Sequence, residues 1–496
     1  MGTTFGYRPL LQRAAMLALA LALAGCAAVL PRLGAATDGA DAECLAWYDR
    51  LDAEIEKAGV RDAEEARITG LPFLRINRLA AALAQRASGS DEAFDVWLTL
   101  LSRLDGQARR VEIANAGRAA VDGLGGLAEV QDRLSSCSAR LNASLQRDPQ
   151  ARLSLIEQAR VPDRYSTALR IAGLYALTRV PFFAGVQQWQ RDHEQAMHDA
   201  ALRPRPARRL APAALQGAPA ALFDRTWPMD ALGLPQIDAV DAERLLAAHA
   251  PVFDIETEGG FDRIGTPRWT AGATIEIDTA QPVVYQRLTH TLVRGRALVQ
   301  LVYTLWFPER PRRGAFDLLG GAIDGVIVRI TLGPDGRPVL ADTIHACGCY
   351  HLFFPGPGVS LRPAAPRDQE WAYTPAPLPA WAVGNRLALR IASATHYVIG
   401  ISAVDGALGG DATYQRQPEA HLRRITAPDG RTRSLYGPDG LVAGSERGER
   451  FLFWPMGIAS AGAMRQWGHH ATAFVGRRHF DDADLIDRRF TWETAP

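Results

Sequence analysis

The chain has 496 residues, 47% hydrophobic and 22% charged, with a formal net charge of +1. That length supplies enough apolar material for two or three domains with their own cores. The balanced charge offers no field of one sign, which argues against nucleic acid or an anionic surface as an electrostatic partner. Lys57 is the only lysine among 55 basic side chains, a bias that reads first as a GC-rich genome and only second as a preference for bidentate anion contacts.

At the amino terminus, Arg8 and Arg13 precede an apolar run over residues 14–24 that ends in small residues, the pattern of a secretory signal peptide. The run closes in Leu23-Ala24-Gly25-Cys26, which resembles the lipobox of bacterial lipoproteins, L-x-[AG]-C. The resemblance implies export, cleavage before Cys26 and acylation of its thiol. Residues 1–25 are then a signal peptide and residues 26–40 a lipidated tether, with the membrane as the expected partner. An uncleaved spanning helix competes, because the apolar stretch continues to Leu30 and approaches the roughly 17 to 25 residues a bilayer requires. Ala27, not aspartate, follows the cysteine, and in the lipoprotein pattern that implies outer-membrane delivery.

From residue 41 to 202 apolar positions recur at three and four, as in amphipathic helices. Cys44, Leu45, Tyr48, Leu51 and Ile55 form one stripe ended by Gly59, and Ser90 heads another that carries Phe94, Trp97, Leu98 and Leu101. A third helix over residues 127–145 contains Cys137. With Cys26 assigned to lipid, four cysteines remain in an oxidising compartment, which allows three pairings. Cys44 and Cys137 share the helical region and have no histidine neighbours, so they are expected to bond to each other. Residues 169–189 are more apolar and are interrupted by Pro181. They are expected to form a kinked core helix rather than one pressed on the membrane, for want of a basic polar face.

Residues 203–222, rich in proline and arginine, read as a linker. Strand signals dominate beyond it. Residues 283–293 and 297–307 flank Arg294-Gly295-Arg296 as in a hairpin, and residues 325–332 and 337–345 flank Gly333-Pro334-Asp335-Gly336. Residues 386–391 and 397–404 form a third pair, and two Pro-Asp-Gly turns follow at 428–430 and 438–440. The expected fold class is α+β: an N-terminal helical domain, then a mainly antiparallel β-sandwich domain over residues 223–496 with a helix near 460–470.

The densest group of soft ligands is His345-Ala-Cys347-Gly-Cys349-Tyr-His351. In a strand, His345, Cys347, Cys349 and His351 share one side while Ile344, Ala346, Tyr350 and Leu352 face the core. Imidazole with thiolate is what zinc or copper(I) selects. A straight strand of six residues spans about 20 Å, so convergence on one ion requires a bend, with Gly348 as its source, or further donors from His396, His469 or His470. A disulfide or redox pair of Cys347 and Cys349, or two packed thiols, are the alternatives. His193 and His198 are one residue too far apart for the zincin H-E-x-x-H pattern and read as a solvated helix face. Asp481, Asp482 and Asp484 read as a surface acidic turn.

Leu305-Trp306-Phe307-Pro308, then Asp324 to Val328, then His345 with a following glycine and Tyr350, resemble the core of the necrosis-inducing cytolysin family. The likeness covers about 50 residues and implies a β-sandwich. Of that family's cation-binding H-R-H-D-W-E stretch only Asp324 is retained, so the resemblance carries no membrane-damaging activity. The whole chain also resembles proteobacterial lipoproteins without assigned function. The leading expectation is an envelope-surface protein holding a transition metal in a binding or structural role. A metal-dependent envelope hydrolase with Asp324 or Asp342 as acid or base, and a metal-free scaffold, are its rivals. The sequence does not identify a protein partner.

Overall fold

A computed structural model describes residues 39–213, 222–363 and 369–493; Cys26 and its leader lie outside the described residues. The amino-terminal part is helical: α1 (Gly39–Ala58), α2 (Arg78–Ala87), α3 (Asp91–Ala116), α4 (Leu127–Arg147) and α5 (Pro149–Gln158). Three of these helices start where polar caps satisfy otherwise orphaned backbone donors. Asn77 accepts from the Ala80 N–H, Ser90 from that of Ala93, and Asp148 from those of Gln150 and Ala151. The apolar stripes meet around Trp47, Tyr48, Phe94, Trp97 and Leu141. Cys44 and Cys137 are disulfide-bonded, joining α1 to α4 with a Cα–Cα distance of 5.3 Å. A short hairpin, Ala66–Ile68 with Leu71–Ile76, crosses this bundle and carries Arg75. Fully buried Arg75 bonds Asp105 and Glu112 of α3, so its charge is paired where water cannot reach it.

The remainder is built on ten strands: β1 (Ala207–Pro212), β2 (Val252–Glu256), β3 (Val283–Val293), β4 (Arg296–Arg310), β5 (Gly321–Leu332), β6 (Pro338–His345), β7 (Leu352–Pro355), β8 (Asn385–Ile391), β9 (Val398–Asp405) and β10 (Ala412–Pro418). They form one sheet in the order β7-β6-β5-β4-β3-β10-β1-β2-β8-β9. The expected hairpins are present. Arg294 and Gly295, with φ of 47° and 77°, make the two-residue turn between β3 and β4. Gly336, with φ of 78°, closes the turn between β5 and β6.

The sheet is mixed, however: six of its nine pairings are antiparallel and three are parallel, and it is one ten-stranded sheet where a sandwich was expected. β10 lies parallel to both β3 and β1, and β2 parallel to β8. Turn residues specify neighbours joined by short loops; β10 instead returns from the far end of the chain to sit between β3 and β1, a pairing no local signal encodes. The stretch expected as a linker is also corrected in part, because Ala207–Pro212 is strand β1 within this sheet. Both faces are covered. Tyr303, Leu305 and Val328 pack on one side, while Val302, Trp306 and Ile327 pack beneath the carboxy-terminal segment with Trp467 and Phe480. That segment contains no helix over residues 460–470; Ser460, Gly462 and Gly468 all take positive φ there, which a helix does not admit.

The apolar segment after residue 165 forms two helices, α6 (Thr167–Ala172) and α7 (Tyr175–Leu202). The break falls at Gly173 and Leu174, where Leu174 has φ of 48°, and Pro181 lies inside α7. α7 is not the expected core helix: His193 is its one buried residue, and Leu177 and Val180 are 70% and 65% exposed. Its apolar residues do not fall on a single stripe, so contact with β9 covers only part of them. No described helix is long and apolar enough to cross a membrane.

Candidate functional site

Strand β6 ends at His345 and β7 begins at Leu352, so the histidine-cysteine run is a hairpin turn and not a straight strand. Gly348 and Tyr350 have φ of 91° and 60°; the Gly348 N–H donates to the His345 carbonyl at 2.8 Å and the His345 N–H to that of Cys349 at 3.0 Å. The bend therefore exists where glycine permits it, but it scatters the donors. His345 Nδ1 faces Asp324 Oδ1 at 3.7 Å, whereas His351 Nε2 lies 2.7 Å from Asp342 Oδ2. His396 Nδ1 lies 2.7 Å from Asp324 Oδ2. His469 Nε2 and His470 Nε2 approach the backbone carbonyls of Ala63 and Ala346 at 2.6 and 3.1 Å.

Cys347 and Cys349 are unbonded thiols, buried in an apolar cluster with Ile344, Ala346 and Trp467. A hydrogen bond to Cys347, with burial, raises the Cys349 thiol well above its usual pKa. Among the described residues no group of three or more His, Cys, Asp or Glu side chains is placed to hold a metal ion. The expected zinc or copper site is thereby overturned, and the metal-dependent hydrolase loses its metal. The physical reason is that each imidazole already has a carboxylate or carbonyl partner, and the turn sends the two thiols into packing.

The same turn contributes to a different arrangement. Asp324, on β5, is buried, which alone raises its pKa, yet the neighbouring His345 and His396 imidazoles hold it well below the carboxylate range. Burial opposes charge on His396, but Asp262 and Asp324 raise its pKa above that of free imidazole, while burial lowers His345. A buried carboxylate-imidazole-carboxylate chain of Asp262, His396 and Asp324 thus lies beside β5. Ile323, Tyr350, Ala394 and His396, non-glycine residues with φ of 56°, 60°, 64° and 53°, cluster around it. Such backbone strain persists only where packing fixes it, and it concentrates at functional sites.

In front of this chain lies a cavity of about 550 Å³, bounded by α7, the β6–β7 turn, the β8–β9 loop and the carboxy-terminal segment. Val186, Trp189, Tyr350, Tyr397, Phe453 and Phe474 supply its walls. Trp189 fixes one side by packing 4.9 Å from Tyr350 and 5.6 Å from Tyr397, centroid to centroid. Behind the tyrosines, Arg310 donates to the Tyr397 hydroxyl at 3.1 Å and lies 5.1 Å from that ring's centroid. His193 anchors α7 there through Tyr373 and the Val398 carbonyl, so it is buried rather than solvated; His198 is exposed as expected.

Polar groups gather along part of the wall. Glu370 accepts from the Val475 N–H at 2.9 Å, and Arg478 is held by the Trp371 carbonyl and by Thr472. Glu449 differs. It is 5% exposed, and burial pushes its pKa up to about 7 against the pull of Arg310 and Arg447. The cavity therefore combines an aromatic body with one carboxyl that titrates near neutrality.

No protein-family model, curated protein or solved structure matches this chain. The reading of the site rests on its own geometry. Of its residues, sequence reasoning named Asp324, His345, His351 and His396 for another purpose and missed Trp189, Tyr397 and Glu449. A tryptophan on an apolar helix and a lone glutamate carry no spacing signal, since loops distant in sequence bring them together.

Proposed function

We propose that this protein is a metal-free lipoprotein of the bacterial envelope that binds an apolar small molecule in the aromatic cavity beneath α7. The cavity carries the reading. At about 550 Å³ it falls in the range of ligand sites, and it pairs predominantly apolar walls with a few convergent polar groups, as such sites do. Trp189 and the two tyrosines offer large apolar area with little conformational freedom to lose. Glu449 offers a hydrogen-bonding group to the ligand's polar end.

The Leu23-Ala24-Gly25-Cys26 motif supports the lipid anchor, and Ala27 supports outer-membrane delivery. The disulfide between Cys44 and Cys137 supports a rigid helical scaffold. Mass spectrometry of the mature amino terminus tests the anchor: diacylglycerol on Cys26 is expected, and Cys26→Ser abolishes it. Cleavage elsewhere with an unmodified Cys26 contradicts it. Organic extraction of the purified protein, followed by mass spectrometry, tests the cavity; a stoichiometric apolar compound is expected.

A further inference from the structure

The cavity opens through a lip of apolar side chains that the fold leaves uncovered. The start of α7 contributes Leu174, Leu177 and Val180, and the short helix Arg450–Phe453 with the turn behind it contributes Phe451, Leu452 and Trp454. Leu177 and Phe451 are 70% and 73% exposed. Single exposed leucines are ordinary on a soluble surface; six large apolar side chains on two adjoining elements are not.

The two elements are clamped together. A Cβ on Gly173 would lie 2.5 Å from the Pro455 side chain, and the Arg170 guanidinium bonds the carbonyl of Met456 at 2.8 Å. Phe182 packs 5.1 Å from Phe453, ring to ring. Pro181, Phe182, Leu452 and Phe453 line the cavity, so the exposed residues beside them are its outer rim.

We propose that this lip docks on a phospholipid bilayer and that the ligand entering the cavity is an acyl chain of a bilayer lipid. The inference rests on the apolar-ligand reading of the cavity. Two further observations favour a bilayer. No acidic residue occurs between Asp163 and Asp192, and residues 450–456 also lack one, so the two elements of the lip bring no carboxylate of their own to anionic headgroups. Trp454 stands at the rim, where amphipathic rings favour the headgroup level. The tether fits as well. The chain between Cys26 and Gly39 spans up to about 45 Å when extended, twice the radius of gyration of about 22 Å for a compact body of this size. An anchored molecule therefore has the reach to turn its lip to the membrane.

Protein beginning at residue 27, which lacks both the leader and the acylated cysteine, is compared with the same chain carrying Leu177→Asp and Phe451→Asp, so that only the lip differs. Both positions are exposed, and circular dichroism should be unchanged. Flotation with vesicles of phosphatidylethanolamine and phosphatidylglycerol reads docking, and titration with a fluorescent fatty acid in vesicle-free buffer reads the cavity. The expected result is a loss of about ten-fold or more in vesicle partitioning for the aspartate variant, with fatty-acid binding retained. Equal flotation of the two proteins, or flotation of neither, overturns the docking. So does self-association of the parent chain that the aspartates abolish without an effect on flotation, because the lip then pairs two copies. Absence of fatty-acid binding in the parent overturns the cavity reading instead.

Discussion

Glu449 is the residue on which the cavity's chemistry turns. Its carboxyl is held at about 7 by burial, against an ordinary value of 4.5. Below neutrality it is uncharged, and above neutrality it places a charge inside an apolar wall, so affinity for an apolar ligand is predicted to fall by about ten-fold from pH 6 to pH 8. Glu449→Gln removes that dependence, which fluorescence titrations at the two pH values check. Stability follows the same sign. Because the folded pKa is the raised one, the contribution is present below pH 4.5 and is lost as pH rises through 7, so urea midpoints of Glu449→Gln decline less over that window. Asp342 makes a second case, since buried Arg329 donates to both its oxygens, at 3.0 and 2.7 Å. Asp342→Asn leaves that guanidinium uncompensated and is expected to destabilise by about 3 to 5 kcal/mol in urea unfolding.

At the scale of elements, the disulfide between α1 and α4 closes a sequence separation of 93 residues. On chain entropy its removal by Cys44→Ser with Cys137→Ser costs about 4 to 5 kcal/mol, measured by denaturation without reductant. This bond and the hairpins were legible in the sequence because they depend on local or compartmental signals. Gly295 and Gly336 sit at turns whose positive φ glycine tolerates, and one helix begins at Ser90 as its cap predicts. The histidine-cysteine run reads as a strand in the sequence, yet alternation identifies a strand only when one face is wet, and here His345, Ala346 and His351 are all buried. Gly348 is the decisive residue of the true turn. A Cβ there would lie 2.8 Å from the Ala471 carbonyl oxygen at a φ that disfavours it, so Gly348→Ala is expected to lower the melting temperature and disturb the cavity wall.

On the scale of the whole molecule, β10 joins the antiparallel half of the sheet to β1 and β2, and no sequence period reports that junction. The cavity depends on such distant pairings: Trp189 from α7, Tyr350 from the β6–β7 turn, Tyr397 from the β8–β9 loop and Glu449 from the carboxy-terminal segment. Its ligand-binding reading is best tested at Gly185, which lines the cavity from α7 and where an added Cβ would meet no atom within 4 Å. Tryptophan is tolerated in a helix better than glycine, and at this position it fills the space a ligand needs. Titration of the protein and of Gly185→Trp with a fluorescent fatty acid, both at pH 6, measures the claim directly. The account predicts saturable binding of one probe per chain, displaced by unlabelled fatty acid and lost in Gly185→Trp; absence of saturable binding, or equal binding by the filled variant, would contradict it.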